Sequence, residues 1–234
     1  MTSTPFTVYR MAVCLYNGAT SLDYQGPVEL LGLRSTSIRK LFPDILGANE
    51  ANCAIDATYL ANTLDPIVPL AGPKLLPDQT YDDAKEHFDI ILIPGGGWSA
   101  RKDTEHSLMN FLKRQGPNAK YILTVCTGSW ILSSTGLLDG KRATTNKEMF
   151  NVIKEDTKDL PITWIAKARW VATEDKKIWS SSGITAGKLV GMDLAYAFLE
   201  HITGKGPAEA SAGFLEMIVN GEGDDPFAAK NGLV

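Results

Sequence analysis

The chain has 234 residues, with 23 Lys and Arg against 27 Asp and Glu, giving a formal net charge of −4. Its 44% hydrophobic and 21% charged content, with a mean hydropathy near zero, is that of an ordinary globular protein long enough to bury a full core. Mild acidity argues against a nucleic-acid surface, which needs a basic excess. No apolar run approaches the roughly 18 residues of a membrane span.

In chain order, short β-rich runs alternate with helical patterns, which points to a mostly parallel sheet covered by helices. Tyr9 to Tyr16 reads as a strand and Leu22 to Leu33 as a helix. Between Asn52 and Leu76, Pro66, Pro69 and Pro73 interrupt short apolar runs, so edge strands or a hairpin are expected there. Phe88 to Ile93 is a buried-strand run halted by Pro94-Gly95-Gly96-Gly97. Thr104 to Arg114 reads as a helix with Thr104 as its N-cap. Tyr121 to Val125 is a second buried strand, and Thr127 to Thr135 a short helix closed by Gly136. Trp170 to Thr173 and Lys177 to Ser180 suggest a hairpin. A long helix follows Ser181 to Thr185 and reaches about Ile202, and Pro207 to Val219 reads as the last helix. No repeat or linker-like break appears, so one domain over 1–234 is expected, with a polar, Gly-rich tail from about 220.

The cysteines Cys14, Cys53 and Cys126 form no CxxC pair, which disfavours a disulfide framework or zinc site. The start carries no signal-peptide pattern, so a reducing cytoplasm is the expected setting. There a thiol can be kept for its chemistry. Cys126 stands out because a buried strand runs straight into it, and Thr127, Gly128 and Ser129 open a helix directly after it. Such a strand-to-helix elbow exposes its apical side chain and needs small neighbours. The helix N-terminus is also expected to favour the thiolate. A buried core thiol is an equal alternative on the elbow alone.

Pro94-Gly95-Gly96-Gly97 offers backbone N–H groups for an oxyanion hole, although taken by itself a plain tight turn is the better reading. A dinucleotide reading of Gly95-x-Gly97-x-x-Ala100 fails for want of an acidic strand end at the expected distance. Asp23, after the first strand, is a candidate acid or a helix cap. His87, His106 and His201 offer no evident Cys-His pair and read as surface or packing residues. Cys14 and Cys53 read as structural.

Together these pieces resemble the ThiJ/PfpI superfamily, with its class I glutamine amidotransferase-like fold. The resemblance rests on Asp23-(x)2-Gly26-Pro27, Pro94-Gly95-Gly96, Cys126-Thr127-Gly128, Gly136-Leu137-Leu138-Asp139-Gly140 and Ala143-Thr144-Thr145. Arg169-Trp170-Val171, Ser182-Gly183-Ile184-Thr185-Ala186-Gly187 and Asp225-Pro226-Phe227 extend it over most of the chain. Asp23 paired with Cys126-Thr127 is most similar to the isonitrile hydratase branch. Glyoxalase, deglycase and chaperone branches usually present Glu at the first position, and protease-like members a His after the Cys.

The resemblance implies a flavodoxin-like three-layer sandwich, often a homodimer, acting on a small molecule without metal or organic cofactor, and with no nucleic-acid or membrane partner. It implies Cys126 as nucleophile, Asp23 as acid/base, and Gly96, Gly97 and Thr127 as backbone donors. Trp98, Asn146, Gly183 and Ile184 are expected around the pocket. The implied activity is hydration of isonitriles to N-substituted formamides, with aldehyde chemistry of the glyoxalase or deglycase type, or a cysteine redox sensor, as alternatives. A transcription-regulator role is not expected. Two departures stand out: Asn146-Lys147 where hydratases commonly carry His-Trp, and Lys188 to Gly191 as about one extra helical turn before Met192-Asp193.

Overall fold

The computed structural model describes residues 5–42, 51–97, 99–102, 104–183, 190–223 and 225–234. The first apolar run forms β1 (Thr7–Cys14), followed by α1 (Ser21–Gly32) and a short α2 (Thr36–Leu41). Next come β2 (Cys53–Ala61), the two-residue β3 (Gln79–Thr80) and β4 (Ile90–Ile93). The middle of the chain supplies α3 (His106–Gln115), β5 (Tyr121–Thr124) and α4 (Gly128–Ser133). Then β6 (Arg142–Ala143), α5 (Phe150–Asp156), β7 (Thr163–Trp164), β8 (Trp170–Ala172) and β9 (Ile178–Ser181) follow. The last elements are α6 (Val190–Thr203), α7 (Lys205–Phe214) and α8 (Pro226–Lys230).

Seven strands form one sheet in the order β3-β2-β1-β4-β5-β9-β8, parallel except for the β8–β9 hairpin. The fold is the expected α/β sandwich with a mostly parallel sheet and flanking helices. All four β4 side chains are buried, as a central parallel strand covered on both faces requires. Helix α6 packs against α1 and against α7, and its Phe198 meets the rings of Tyr121 and Trp179 on β5 and β9.

Several boundaries differ from the sequence reading. The stretch from Asn52 holds a nine-residue parallel strand, β2, paired with β1 along its length and with β3 at its end. The prolines fall beyond Ala61, in a loop closed by the Ile67–Leu75 bridge, so they do not interrupt the ladder. Thr104 bonds back to the Ala100 carbonyl, and Glu105 takes the N-cap position of α3. The last expected helix ends at Phe214, and the supposed tail carries α8, capped by the Asp225 side chain on the Phe227 N–H. Of the expected extra turn, Val190 and Gly191 open α6, while Lys188 and Leu189 lie outside the described residues.

The carboxyl ends of β1, β4, β5 and β9 all reach one edge of the sheet, because their pairing is parallel and nearly in step. The direction in which successive strands are added switches between β1 and β4, with β2 on one side and β5 on the other, which opens a crevice at that edge. At the start of α4 a Cβ on Gly128 would lie 2.2 Å from the Ile93 carbonyl oxygen, so α4 seats against β4 only with glycine there. Gly128→Ala is expected to lower the melting temperature sharply, whereas Gly213→Ala, exposed in α7 with open space around it, should raise stability by ~0.5–1 kcal/mol. Thermal melts of the two variants check both signs.

Candidate active site

Cys126 sits where β5 meets α4 and adopts φ 58°, a left-handed conformation that a side-chain-bearing residue holds at a cost of ~1–2 kcal/mol. Three contacts hold it there. Its N–H donates to the Ser182 carbonyl at 3.0 Å, and its own carbonyl accepts from Thr145 Oγ1 at 3.1 Å and from Ser129 Oγ at 3.4 Å. A strained residue clamped from three sides at the carboxyl end of a parallel sheet is the geometry of a functional elbow.

Asp23, in the first turn of α1, is fully buried and does not cap the helix. Its Oδ2 accepts the Gly95 N–H at 3.0 Å across the crevice, and a Cβ on Gly95 would lie 2.9 Å from that oxygen. Its Oδ1 accepts no hydrogen bond, although the Cys126 thiol lies close enough to influence the carboxyl. Burial pushes the Asp23 carboxyl up to about 7, and the Gly95 N–H and the thiol only partly oppose it.

The thiol moves the other way from the sequence expectation. Burial first, and then the Asp23 charge, push it well above its ordinary range; the Asn146 amide and the Thr127 N–H pull it down but do not win. With six residues, α4 offers too short a dipole to overcome desolvation. The two groups are therefore coupled and titrate as a pair.

The backbone donors behave unequally. The Gly96 N–H donates to Thr127 Oγ1 at 3.1 Å, and the Gly97 N–H to the Gly18 carbonyl at 3.0 Å. Thr127 Oγ1 in turn donates to Ser99 Oγ at 2.8 Å, and Ser99 Oγ to the Gly96 carbonyl at 2.9 Å, closing a ring of hydrogen bonds behind the elbow. Both glycine amides are thus engaged within the protein, and Thr127 supplies the amide beside the sulfur.

Asn146 reaches the centre directly, with Nδ2 3.3 Å from Cys126 Sγ. Gly183 makes this approach possible, since a Cβ there would lie 2.9 Å from the Asn146 amide nitrogen. Trp98 and Ile184 lie outside the described residues. The histidines sit elsewhere: His87 pairs with Asp89, His106 opens α3, and His201 packs on Tyr121 and Trp179. Cys14 is buried within β1, and Cys53 is buried with its thiol toward the Ile202 carbonyl. Among the described residues no cluster of three or more His, Cys, Asp or Glu side chains could hold a metal, and no helix is long and apolar enough to cross a membrane. The sequence reading did not single out Ser182 or Thr145 as supports of the elbow; only the small polar run at the end of β9 hinted at the first.

An elbow cysteine paired with a buried carboxyl from the first βα turn fits the family whose model matches residues 9–197, the DJ-1/PfpI family. The chain belongs to that family. It is 30% identical over 196 residues to the isonitrile hydratase of Pseudomonas putida, covering 80% of this chain and 74% of that protein. It is 26% identical over 102 residues to the deglycase PfpI of Pyrococcus furiosus, covering 41% of this chain and 59% of that one. Among solved structures, a ThiJ/PfpI family protein from Pseudomonas syringae superposes with a TM-score of 0.73 at 21% identity, over all of this chain and 88% of that one.

The raised Asp23 carboxyl has a thermodynamic consequence. Folding holds it neutral where the unfolded chain ionises near ~3.9, so the stability it lends is complete below about pH 4 and lost as pH rises to about 7. Asp23→Asn avoids that loss. Its stability relative to the parent is expected to climb between about pH 4.5 and 7 by ~3 kcal/mol and then level off, read from melts across pH. A pH-independent difference contradicts the assignment.

Proposed function

We propose that this member of the DJ-1/PfpI family hydrates isonitriles to N-substituted formamides through a covalent bond to Cys126. The observation that carries the reading is the buried Asp23 carboxyl, tethered through Oδ2 to the Gly95 N–H and close enough to the Cys126 thiol for each to shift the other. The terminal carbon of an isonitrile must receive a nucleophile and a proton at the same atom. A thiol and a carboxyl sharing one proton supply both from adjacent positions.

In the first half, Sγ bonds to the isonitrile carbon while the thiol proton passes through Asp23 to that same carbon. The product is a thioimidate, R–N=CH–S–Cys126. In the second half the Asp23 carboxylate removes a proton from water as its oxygen bonds to the thioimidate carbon. The nitrogen takes up a proton, and collapse breaks the C–S bond, releasing R–NH–CHO and restoring the thiol. Atoms balance as isonitrile plus water. An acid/base group near 7 is well matched to both halves.

The engaged Gly96 and Gly97 amides support this choice over an aldehyde reaction. Thiol addition to a carbonyl builds negative charge on oxygen and gains from amide donors, whereas addition to an isonitrile builds charge on the carbon that Asp23 protonates. The similarity to the Pseudomonas putida isonitrile hydratase points the same way.

Purified protein is expected to consume an aryl isonitrile and form the matching formamide, and Cys126→Ala should abolish this. The kcat/KM should rise with pH through an apparent value near 7, where the pair loses its first proton, and then level off. Asp23→Asn should remove that limb and lower turnover by ~10²–10⁴-fold. Formation of lactate from methylglyoxal with isonitrile left intact would overturn the assignment.

A further inference from the structure

The four residues Thr144 to Lys147 each make a polar contact, and together they form a platform beside the elbow. The Thr144 N–H donates to Ser180 Oγ at 2.9 Å, and its hydroxyl to the Ile165 carbonyl at 2.8 Å. Thr145 holds the Cys126 carbonyl, and Asn146 meets the Cys126 sulfur. The orientation of the Asn146 amide is not arbitrary. Its Oδ1 accepts the Met149 N–H at 3.0 Å, an unambiguous donor, so the amino group must be the end that faces Sγ.

Lys147 is buried, with its side chain 2% exposed. Its ammonium donates to Thr144 Oγ1 at 2.7 Å and to the Ala168 carbonyl at 2.6 Å, and lies 3.9 Å from Asp225 Oδ2. Asp225 is itself held from two sides, accepting from Ser182 Oγ at 2.5 Å and from the Phe227 N–H at 2.9 Å. The Ser182 carbonyl then receives the Cys126 N–H. A circuit therefore runs from Lys147 through Asp225 and Ser182 to the elbow backbone, while Asn146, flanked by Thr145 and Lys147, reaches the elbow side chain.

We propose that Asn146 is a catalytic residue, donating to Cys126 Sγ to hold the sulfur as the attacking and leaving thiolate, and that the buried Lys147–Asp225 pair positions it. The amide suits this task because it donates without carrying a titrating proton of its own, so proton traffic stays with Asp23. Desolvation and the Asp23 charge both oppose the thiolate. A donor fixed on sulfur therefore carries more weight here than in water. In the second half-reaction the same N–H receives the departing sulfur. The inference rests on Cys126 being the nucleophile but not on the identity of the electrophile.

The test measures iodoacetamide alkylation of Cys126 from pH 7 to 10, followed by mass spectrometry of its peptide, with Cys14 and Cys53 as buried internal controls. Asn146→Leu is expected to slow Cys126 alkylation at pH 8 about tenfold. Asn146→Asp should slow it further, because it keeps the acceptor for Met149 but turns a carboxylate toward the sulfur. An unchanged rate in either folded variant overturns the role of Asn146. For Lys147, the pair is removed together in Lys147→Met/Asp225→Asn, since a buried pair is tolerated better absent than broken. Asp225→Asn alone, which keeps the acceptor that caps α8, is the second variant. Severalfold slower alkylation with a cooperative melt supports positioning, and a parental rate in either folded variant overturns it. No isonitrile is used, so a chain that alkylates as expected yet leaves isonitriles untouched loses the substrate assignment and keeps this inference.

Discussion

The left-handed backbone at Cys126 is the constraint on which the site depends. A side-chain-bearing residue at φ 58° relaxes unless its surroundings over-determine it, and each neighbour contributes to doing so. Ser182 takes the N–H, Thr145 and Ser129 take the carbonyl, and Gly128 lets α4 press against the Ile93 carbonyl without collision. The elbow in turn delivers the thiol to the mouth of the crevice between β1 and β4, where Asp23 and Gly95 already face each other. The strain costs ~1–2 kcal/mol, a sum that a few well-made hydrogen bonds of ~1 kcal/mol each can offset.

Electrostatically the site is governed by burial rather than by the helix that follows Cys126. A short helix and one amide pull the thiol toward its anion, but removing both thiol and carboxyl from water pushes harder in the opposite direction. At neutral pH burial keeps the thiol protonated and leaves the carboxyl only partly ionised. Held together they titrate as one pair, in which the carboxyl gives up its proton first and then stands ready to take the proton of the neighbouring thiol. That order suits a reaction adding a nucleophile and a proton to one atom, and the resistance of the thiol to ionisation is why the Asn146 and Thr127 donors on the sulfur matter.

Local pattern made much of this legible from the sequence. The apolar runs of β4 and β5 and the small residues after Cys126 announce a buried strand entering a tight elbow, and the structure places them so. The pattern failed where the deciding partner is distant. Prolines beyond Ala61 coloured the reading of β2, whose ladder with β1 is set by residues more than forty positions away. Thr104 had the side chain of a cap, yet its hydroxyl turns back to Ala100, and Glu105 takes the N-cap position without a side-chain bond to the helix. Asp225-Pro226 did carry a local signal, an N-cap residue followed by proline in the first helical turn, and the polar composition around it masked α8. The contact of Asn146 with sulfur has no sequence signature, because it requires Gly183 on another strand end to leave room.

The C-terminal segment is part of the frame of the site for the same reason. Arg169 pairs with Asp193 inside the protein, with Nε 2.7 Å from Oδ2, and Asp193 also accepts the Asn220 N–H at 2.9 Å. The Arg169 N–H bonds the Glu222 carbonyl, and its own carbonyl accepts the Ser182 N–H at 2.9 Å. The Lys147–Asp225 pair, and the Arg169–Asp193 pair through its bonds to Asn220 and Glu222, thus tie the chain beyond α7 to the strand end that clamps Cys126. Buried pairs are poor sources of net stability, because desolvation consumes most of their attraction. What they supply is discrimination, since any register that separates the partners leaves an unpaired charge in the core. Placed one residue from Asn146 and two hydrogen bonds, by way of Ser182, from the Cys126 backbone, that discrimination acts on the conformation the elbow must keep.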